Sequence, residues 1–241
     1  MPLTLRAVLV TALLSGVLGG LVFFTAQLAT TRHLIVLAEI HEHAAQHAAQ
    51  HAAGAAHDHA AGGQEWEPAE GLERTAYTLG ADLLLGIGFA FLLVGAISLS
   101  GRTVTPLAGL AWGVAGFLAF AAAPALGLPP EPPGVEAADL LLRQGWWLGT
   151  ACATATGLWL MVMAQRPWQR LAGAALLLAP HLIGAPQAPF GRTEEAAALA
   201  RSFTWASMAA TAALWATLGL AAGWLLGRPA GSAGSVPSHQ G

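Results

Sequence analysis

The residues with the clearest chemistry form a histidine-rich segment between two apolar runs. Residues 38–59, AEIHEHAAQHAAQHAAGAAHDH, contain six of the chain's nine histidines. Imidazole nitrogens with a few carboxylates are ligands that Zn, Cu, Ni and Co accept well, whereas Mg and Ca prefer oxygen ligands. This composition predicts that the segment binds a divalent transition metal.

The residue types in positions 33–53 predict that much of this segment is a helix. Ala, Leu, Glu and Gln, which favour helices, are abundant in it, and no Gly or Pro occurs before Gly54. On such a helix, side chains four residues apart lie on one face, about 5–6 Å from each other, so two imidazoles can chelate one ion. Four candidate ligands follow one another at that spacing: Glu39, His43, His47 and His51.

Three further histidines lie off this stripe. His57 and His59 follow the first glycine, in a stretch whose composition predicts a flexible tail, and His41 would pair with Glu39 or Glu42 in a different geometry. The alternative interpretation is a solvated, Ala-rich helix in which histidine merely takes the place of glutamine. The density of histidine favours metal binding, while the coordination geometry stays open.

Composition places the chain in a membrane. Of its 241 residues, 55% are hydrophobic and 10% are charged, against about 25% charged in soluble domains, and the mean hydropathy is +0.58. A bilayer core about 30 Å thick needs about 20 apolar residues per helix. Five runs reach that length: Ala7 to Ala29, Thr78 to Leu99, Pro106 to Leu126, Trp146 to Gln165 and Ser202 to Leu226. A sixth, Trp168 to Gly184, is shorter and contains Pro180. The predicted fold class is all-α, a polytopic membrane protein with six transmembrane helices, or five if the shorter run does not span.

The distribution of arginine orients these spans. All ten basic residues are arginine, and a six-span arrangement places five on each side, so a simple count decides nothing. One set lies in very short connections, where the positive-inside rule applies most strongly: Arg6, Arg102, Arg166, Arg170 and Arg228. None of the 13 acidic residues falls on that side. We therefore expect both termini to be cytoplasmic.

This orientation divides the chain into four parts. Residues 1–29 form the first transmembrane helix, residues 30–75 an extracytoplasmic histidine-rich loop, residues 76–228 a five-helix membrane bundle and residues 229–241 a disordered cytoplasmic tail. The expected location is the inner (cytoplasmic) membrane, which the chain crosses several times.

Two ionisable residues fall inside predicted spans, where such residues are energetically costly and often functional. Asp82 and His181 each lie about one turn inside the outer end of a span, and Gln27 lies at a similar depth in the first span. Together they predict a metal site beneath the histidine-rich segment, with Asp82 and His181 as ligands. The alternatives are that His181 bonds a carbonyl freed by the preceding proline, and that Asp82 pairs with Arg74 or Arg143.

Several enzymatic motifs are missing from the sequence. It contains no Walker A motif, GxSxG, HExxH or Cys-x-x-Cys, and Cys152 is its one cysteine. The single long loop is too small and too rich in alanine for a catalytic domain. We therefore expect no enzymatic activity and no permanently bound cofactor.

Three blocks of the sequence resemble one family. They are EWEPAEGLERTAYTLGADLLLGIGFAFLL, WGVAGFLAFAAAPALGLPPEPPGVEAADLLLRQGWWLGT and LLLAPHLIGAPQ. As a set they are similar to the CbtA family of probable cobalt transporter subunits, and the similarity runs from the first span through the last. The resemblance implies cobalt uptake for cobalamin synthesis beside CbtB, a small single-span partner with a histidine motif. Family members are often described with five spans.

These observations favour a membrane component that takes up a divalent transition metal. Cobalt is the first choice, and nickel or zinc stays open because imidazole affinity does not single out cobalt. Two alternatives remain: a membrane protein that binds or senses metal without transporting it, and a metal efflux component. The expected partners are a CbtB-like subunit, membrane lipid and the metal ion. No nucleic acid is expected, and an oligomer stays open.

Replacing the loop histidines with alanine should lower the cobalt that cells accumulate at limiting supply. Uptake by the unsubstituted chain should also weaken in acid, because protons compete for imidazole as the pH falls through about 6.5. Cell-associated cobalt, measured with and without the substitutions, checks both expectations. Unchanged uptake in the substituted chain would remove the capture role.

Overall fold

The computed structural model describes the following residues: 4–40, 68–133, 135, 137–188 and 194–228. Every regular element in these ranges is a helix, so the all-α membrane architecture expected from the sequence is confirmed. The predicted metal ligands from His41 to His59, and the predicted tail at 229–241, lie outside the described residues.

Seven α-helices make up the described part of the chain. In order they are α1 (Leu5–Thr30), α2 (residues 32–40), α3 (Leu72–Ser100), α4 (Pro106–Phe117), α5 (Leu140–Met163), α6 (Pro167–Ile183) and α7 (Glu194–Leu226). α4 continues through a π-helical turn, Leu118–Ala122, and one more helical turn, Ala123–Ala125. α2 extends α1 after a single turn residue, Thr31, as the helix-forming composition of this stretch predicts.

The helix ends follow local sequence signals. Side-chain oxygens of Thr4, Thr105 and Asp139 accept hydrogen bonds from backbone N–H groups three residues later, and so cap α1, α4 and α5. Helices α3 and α6 end at glycines with positive φ, Gly101 at 65° and Gly184 at 86°. Glycine adopts this backbone region without the steric strain that a side chain brings.

Five helical segments of the described chain are long and apolar enough to cross a membrane: Leu5–Thr30, Leu72–Ser100, Pro106–Ala125, Leu140–Met163 and Ala196–Leu226. They correspond to the five longer apolar runs of the sequence. The sixth predicted span is α6, which is helical throughout but has only 17 residues. At 1.5 Å per residue it rises about 25 Å, slightly less than the hydrocarbon thickness of a typical bilayer.

Glycine contacts hold α4 against α7. Gly109 faces Gly223, and a Cβ atom at Gly223 would lie 3.0 Å from the Cα of Gly109. One turn further along α4, Gly113 faces Gly219. Residue numbers therefore increase along α4 in the direction in which they decrease along α7, so the two helices are antiparallel. Small residues spaced four apart on each helix allow this close approach.

This direction of α7 requires α6 to carry the chain back across the bundle. The Thr204 hydroxyl of α7 donates a 2.9 Å hydrogen bond to a carbonyl in the loop after α4, so α7 enters where α4 finishes. α5 starts at that same end, directly after this loop. α6 runs antiparallel to α5, with Gly173 against Gly157 and His181 against Trp146, and so crosses the same thickness. These contacts support the six-span topology.

The core lies where α1, α3, α4 and α7 meet. Its largest fully buried side chain is Trp215 of α7, and the rings of Phe89 and Phe120 lie 4.9 and 5.6 Å from it, centroid to centroid. Beside this core α1 and α3 approach closely, because a Cβ at Gly16 would lie 2.5 Å from the Cα of Ile87. This close approach brings polar residues of α1 and α3 together.

Replacing Gly109 with alanine should lower the unfolding temperature in detergent, because the added Cβ would collide with the carbonyl oxygen of Gly219. Overpacking of this kind costs about 1–3 kcal/mol. Gly149→Ala is the matched control, since nothing lies within 4 Å of its Cβ position and alanine has the higher helix propensity. Equal unfolding temperatures for the two variants would contradict the packing argument. A Cβ at Gly145 also has nothing within 4 Å, so the pair Gly145 and Gly149 makes no close helix contact within the described residues.

Candidate functional site

The candidate site centres on Asp82, a carboxylate in the contact between α1 and α3. Only 7% of the residue is exposed. The side-chain nitrogen of Gln27, Nε2, donates to both carboxylate oxygens, at 3.0 Å each. An amide is neutral, so this contact supplies hydrogen bonds without cancelling the negative charge of an ionised carboxylate.

Small residues bring the two helices close enough for this hydrogen bond. A Cβ at Gly20 would lie 2.7 Å from the backbone oxygen of Asp82, and one at Gly86 would lie 2.5 Å from that of Gly16. Backbones of membrane helices approach this closely only where the facing residues are small. Gln27, about two turns along α1 from Gly20, can therefore reach across to Asp82.

A second polar contact lies further along the same helix pair. Two guanidinium nitrogens of Arg74 face Glu39: Nη2 is 2.5 Å from Oε1, and Nη1 is 3.5 Å from Oε2. Nη1 also lies 2.7 Å from Oε1 of Glu70. Arg74 therefore links α2 to the start of α3. The pairing of Asp82 with Arg74, an alternative suggested by the sequence, does not occur in the described residues.

A groove of about 110 Å³ lies between these two contacts. Gln27 lines one end of it, and Arg74 and Glu70 line the other. Polar residues between them are Thr31, Arg32, Thr75 and Thr78. Asp82 follows Arg74 by about 12 Å along α3, at 1.5 Å per residue. A partly polar groove thus leads from the end of α2 to the amide that binds the buried carboxylate.

His181 lies against a different helix. Its ring centroid is 6.1 Å from that of Trp146, in an edge-on arrangement at the contact between α6 and α5. Asp82 contacts α1 instead, so the two predicted metal ligands have different neighbours. Within the described residues, no group of three or more His, Cys, Asp or Glu side chains is arranged to hold a metal ion. A metal site shared by Asp82 and His181 stays a prediction.

Comparison with known protein families covers almost the whole of this helical arrangement. A family model described as probable cobalt transporter subunit (CbtA) matches residues 5–227. The chain belongs to the CbtA family. Comparison with curated proteins and with solved structures gives no match.

In a CbtA-family chain, a buried carboxylate with a neutral partner is chemically suited to a cation. Asp82 has two acceptor oxygens, and each can accept more than the single bond that Gln27 provides. An ionised carboxylate in an apolar contact is costly unless a positive charge compensates it. A carboxyl group in such a place is therefore either protonated or balanced by a positive charge.

Sequence reasoning predicted neither of the two polar contacts, but it gave the relative depth of one pair. It placed Gln27 and Asp82 at one depth, and the hydrogen bond between them confirms that placement. It missed the ion pair of Arg74 and Glu39, which are separated by 35 positions. The sequence signal for this ion pair was the opposite charge of the two residues, and opposite charge alone does not identify which residues pair.

Replacing Gln27 with leucine should destabilise the protein more than replacing both Gln27 and Asp82 with leucine. The single substitution leaves a buried carboxyl group without its donor, which costs about 1–3 kcal/mol, whereas removing both polar groups is nearly neutral. Thermal unfolding in detergent of both single variants and the double variant measures the coupling between the two side chains. Strictly additive effects would show that the pair does not stabilise this contact.

Proposed function

We propose that this CbtA-family chain is a membrane component that takes up a divalent transition metal, with cobalt as the first candidate. The observation that carries the proposal is the pair of Gln27 and Asp82, a buried carboxylate held by an amide at the end of a polar groove. Intramembrane carboxylates commonly mark ion pathways. The family description names cobalt, a choice that ligand chemistry alone does not make.

The position of α2 supports delivery of metal to this groove from the histidine-rich segment. Glu39, two residues before the first predicted histidine ligand, lies in α2. Arg74 binds Glu39 in α2 and Glu70 just before α3, so the described residues on either side of positions 41–67 are joined beside the groove. The histidines proposed to capture the ion and raise its local concentration are His41, His43, His47, His51, His57 and His59.

Glu39 has a second role in this proposal, besides the one that its spacing predicts. Arg74 binds its carboxylate, so a metal ion shared by Glu39 and His43 would have to compete with the guanidinium. Partly exposed ion pairs contribute only about 0–1 kcal/mol, which a divalent ion with an imidazole ligand can overcome. We therefore propose that Glu39 holds α2 in place when no metal is bound and supplies an oxygen ligand when metal arrives.

The proposed arrangement places the groove on the extracytoplasmic side of the inner membrane, with both termini in the cytoplasm. The short arginine-bearing connections support this orientation. The family description as a subunit implies further components. The component proposed to work with this chain is a small single-span protein similar to CbtB.

Asp82→Asn should reduce cobalt uptake by about tenfold or more, the scale on which loss of a supporting group lowers metal affinity or activity. Asparagine has nearly the same shape and can still hydrogen-bond Gln27, so the protein should remain folded in the membrane. Cobalt accumulated by cells at limiting supply, divided by the amount of protein in the membrane, is the measurement. Glu73→Gln removes an exposed acid from the same helix and is the matched control. Wild-type uptake in Asp82→Asn would contradict a role for the charge.

Purified protein in liposomes separates uptake from the two alternatives. Cobalt that enters the lumen supports transport, whereas cobalt that binds without entering supports a non-transporting protein. A lower cobalt content in cells that overproduce the protein would support efflux. For the histidine substitutions, the matched control is Gln46→Ala with Gln50→Ala, which alters the same segment without removing imidazole.

A further inference from the structure

We propose that a phospholipid binds in the cavity between the end of α4, the loop after it, α5 and α7. Its phosphate would contact Arg143, and one of its acyl chains would lie against the apolar part of the lining. The site is separate from the groove between α1 and α3, and it goes beyond the proposed function because it needs no metal. Two features carry the proposal: the change in polarity along the cavity, and an arginine that has no ion pair within the described residues.

The cavity has a volume of about 570 Å³. This is within the range of about 300–1,000 Å³ that is typical of ligand sites. The rings of Phe120 and Trp147, which both line it, lie 6.4 Å apart, centroid to centroid. A contact through two rings keeps α4 and α5 further apart than the glycine contacts keep α4 and α7, so space remains beside the rings. This space is suited to a headgroup and the upper part of one chain, with the rest of the lipid in the bilayer.

The lining of the cavity changes from polar to apolar with depth in the membrane. Arg143 lies about 4.5 Å from the start of α5, whereas Leu148 lies about 12 Å from it. On α7, Thr204 contacts the loop after α4, and Met208 lies about 6 Å deeper in the cavity lining. The deeper hydroxyl of Thr211 donates to a carbonyl of its own helix. A charged outer part above an apolar inner part fits the polarity of a phospholipid.

The charge of the lining favours a phosphate. Arg143 is half-buried, and within the described residues its guanidinium makes no ion pair. The acid of the lining, Glu131, has an interaction of its own within the protein. Guanidinium binds phosphate through two parallel hydrogen bonds, and the amide of the neighbouring Gln144 can donate another. A phosphate diester therefore complements this part of the cavity, which an uncharged lipid does not.

The cavity is accessible from the bilayer. Leu140 and Leu148 line it on α5 and are 60% and 57% exposed. In a membrane these exposed leucines contact lipid chains, so a lipid can enter sideways between the helices. A free phosphate ion would contact Arg143 and leave the apolar lining uncovered. The occupant that covers both parts is a phospholipid.

Native mass spectrometry of the purified whole chain in detergent tests the lipid and its headgroup contact. We expect one phosphatidylglycerol to be retained, and much weaker binding of diacylglycerol, which lacks the phosphate, and of inorganic phosphate. Arg143→Gln should lower the affinity for phosphatidylglycerol about tenfold, the scale of a charge-assisted hydrogen bond. The matched control is Arg201→Gln, which removes an exposed arginine near the same end of the bundle, outside the cavity lining.

Four results of this measurement would overturn the site. They are unchanged affinity in Arg143→Gln, an equal loss in Arg201→Gln, equal binding of diacylglycerol, and equal binding of inorganic phosphate. A second polypeptide bound in place of the lipid, and lost in Arg143→Gln alone, would also overturn it.

Filling the cavity tests its location without altering Arg143. Ala125 lines the cavity, so Ala125→Phe should occupy the space of the acyl chain. Phosphatidylglycerol should raise the unfolding temperature of the wild-type chain, because a ligand that binds the folded state stabilises it. This rise should be largely lost in Ala125→Phe and kept in Ala209→Phe, which adds the same ring at an exposed position of α7 outside the lining. An equal rise in both variants would contradict the location. Neither measurement uses cobalt, so a chain that moves no cobalt into liposomes would contradict the proposed function alone.

Discussion

A carboxyl group inside a bilayer has to find its hydrogen-bond partners within the protein, and this constraint governs the contact between α1 and α3. Asp82 receives both of its described side-chain bonds from one residue, Gln27. That amide reaches the carboxylate because Gly16, Gly20 and Gly86 let the two backbones approach closely. The polar pair and the glycine contact therefore depend on each other, and neither would be stable in this form alone.

The same packing principle fixes the rest of the bundle. Glycines of α4 and α7 face each other along the helices, while the indole of Trp215 fills the space beside Gly116. This close contact sets the direction of α7 and thereby the path of α6 across the membrane. Because lipid supplies no hydrophobic force between helices, such fits between small and large residues are what determines which helices touch.

Two polar regions result from this arrangement, and both open at the end of the bundle where α1 and α4 finish. One is the groove between α1 and α3, which ends at an amide and a carboxylate. The other is the larger cavity between the end of α4, α5 and α7, whose lining includes one acid and one base. The first is suited to holding a cation through an anionic oxygen.

The sequence by itself determined the class of the protein and the chemistry available to it. Apolar runs long enough for a bilayer, the clustered histidines and the single intramembrane carboxylate are local properties, and each follows from residue types and spacing. The sequence also gives the similar depth of Gln27 and Asp82 in the membrane, because the depth of a residue depends only on its position along its span.

Only the tertiary structure decided which polar groups meet. Rotation of a helix about its axis is set by contacts with its neighbours, so the sequence placed Asp82 and His181 at one level without showing that they face α1 and α5 respectively. The ion pair of Glu39 and Arg74 and the cavity beside Arg143 were hidden for the same reason. They depend on helix packing between residues far apart in the chain, and that packing is the result of many small steric fits rather than of any local pattern.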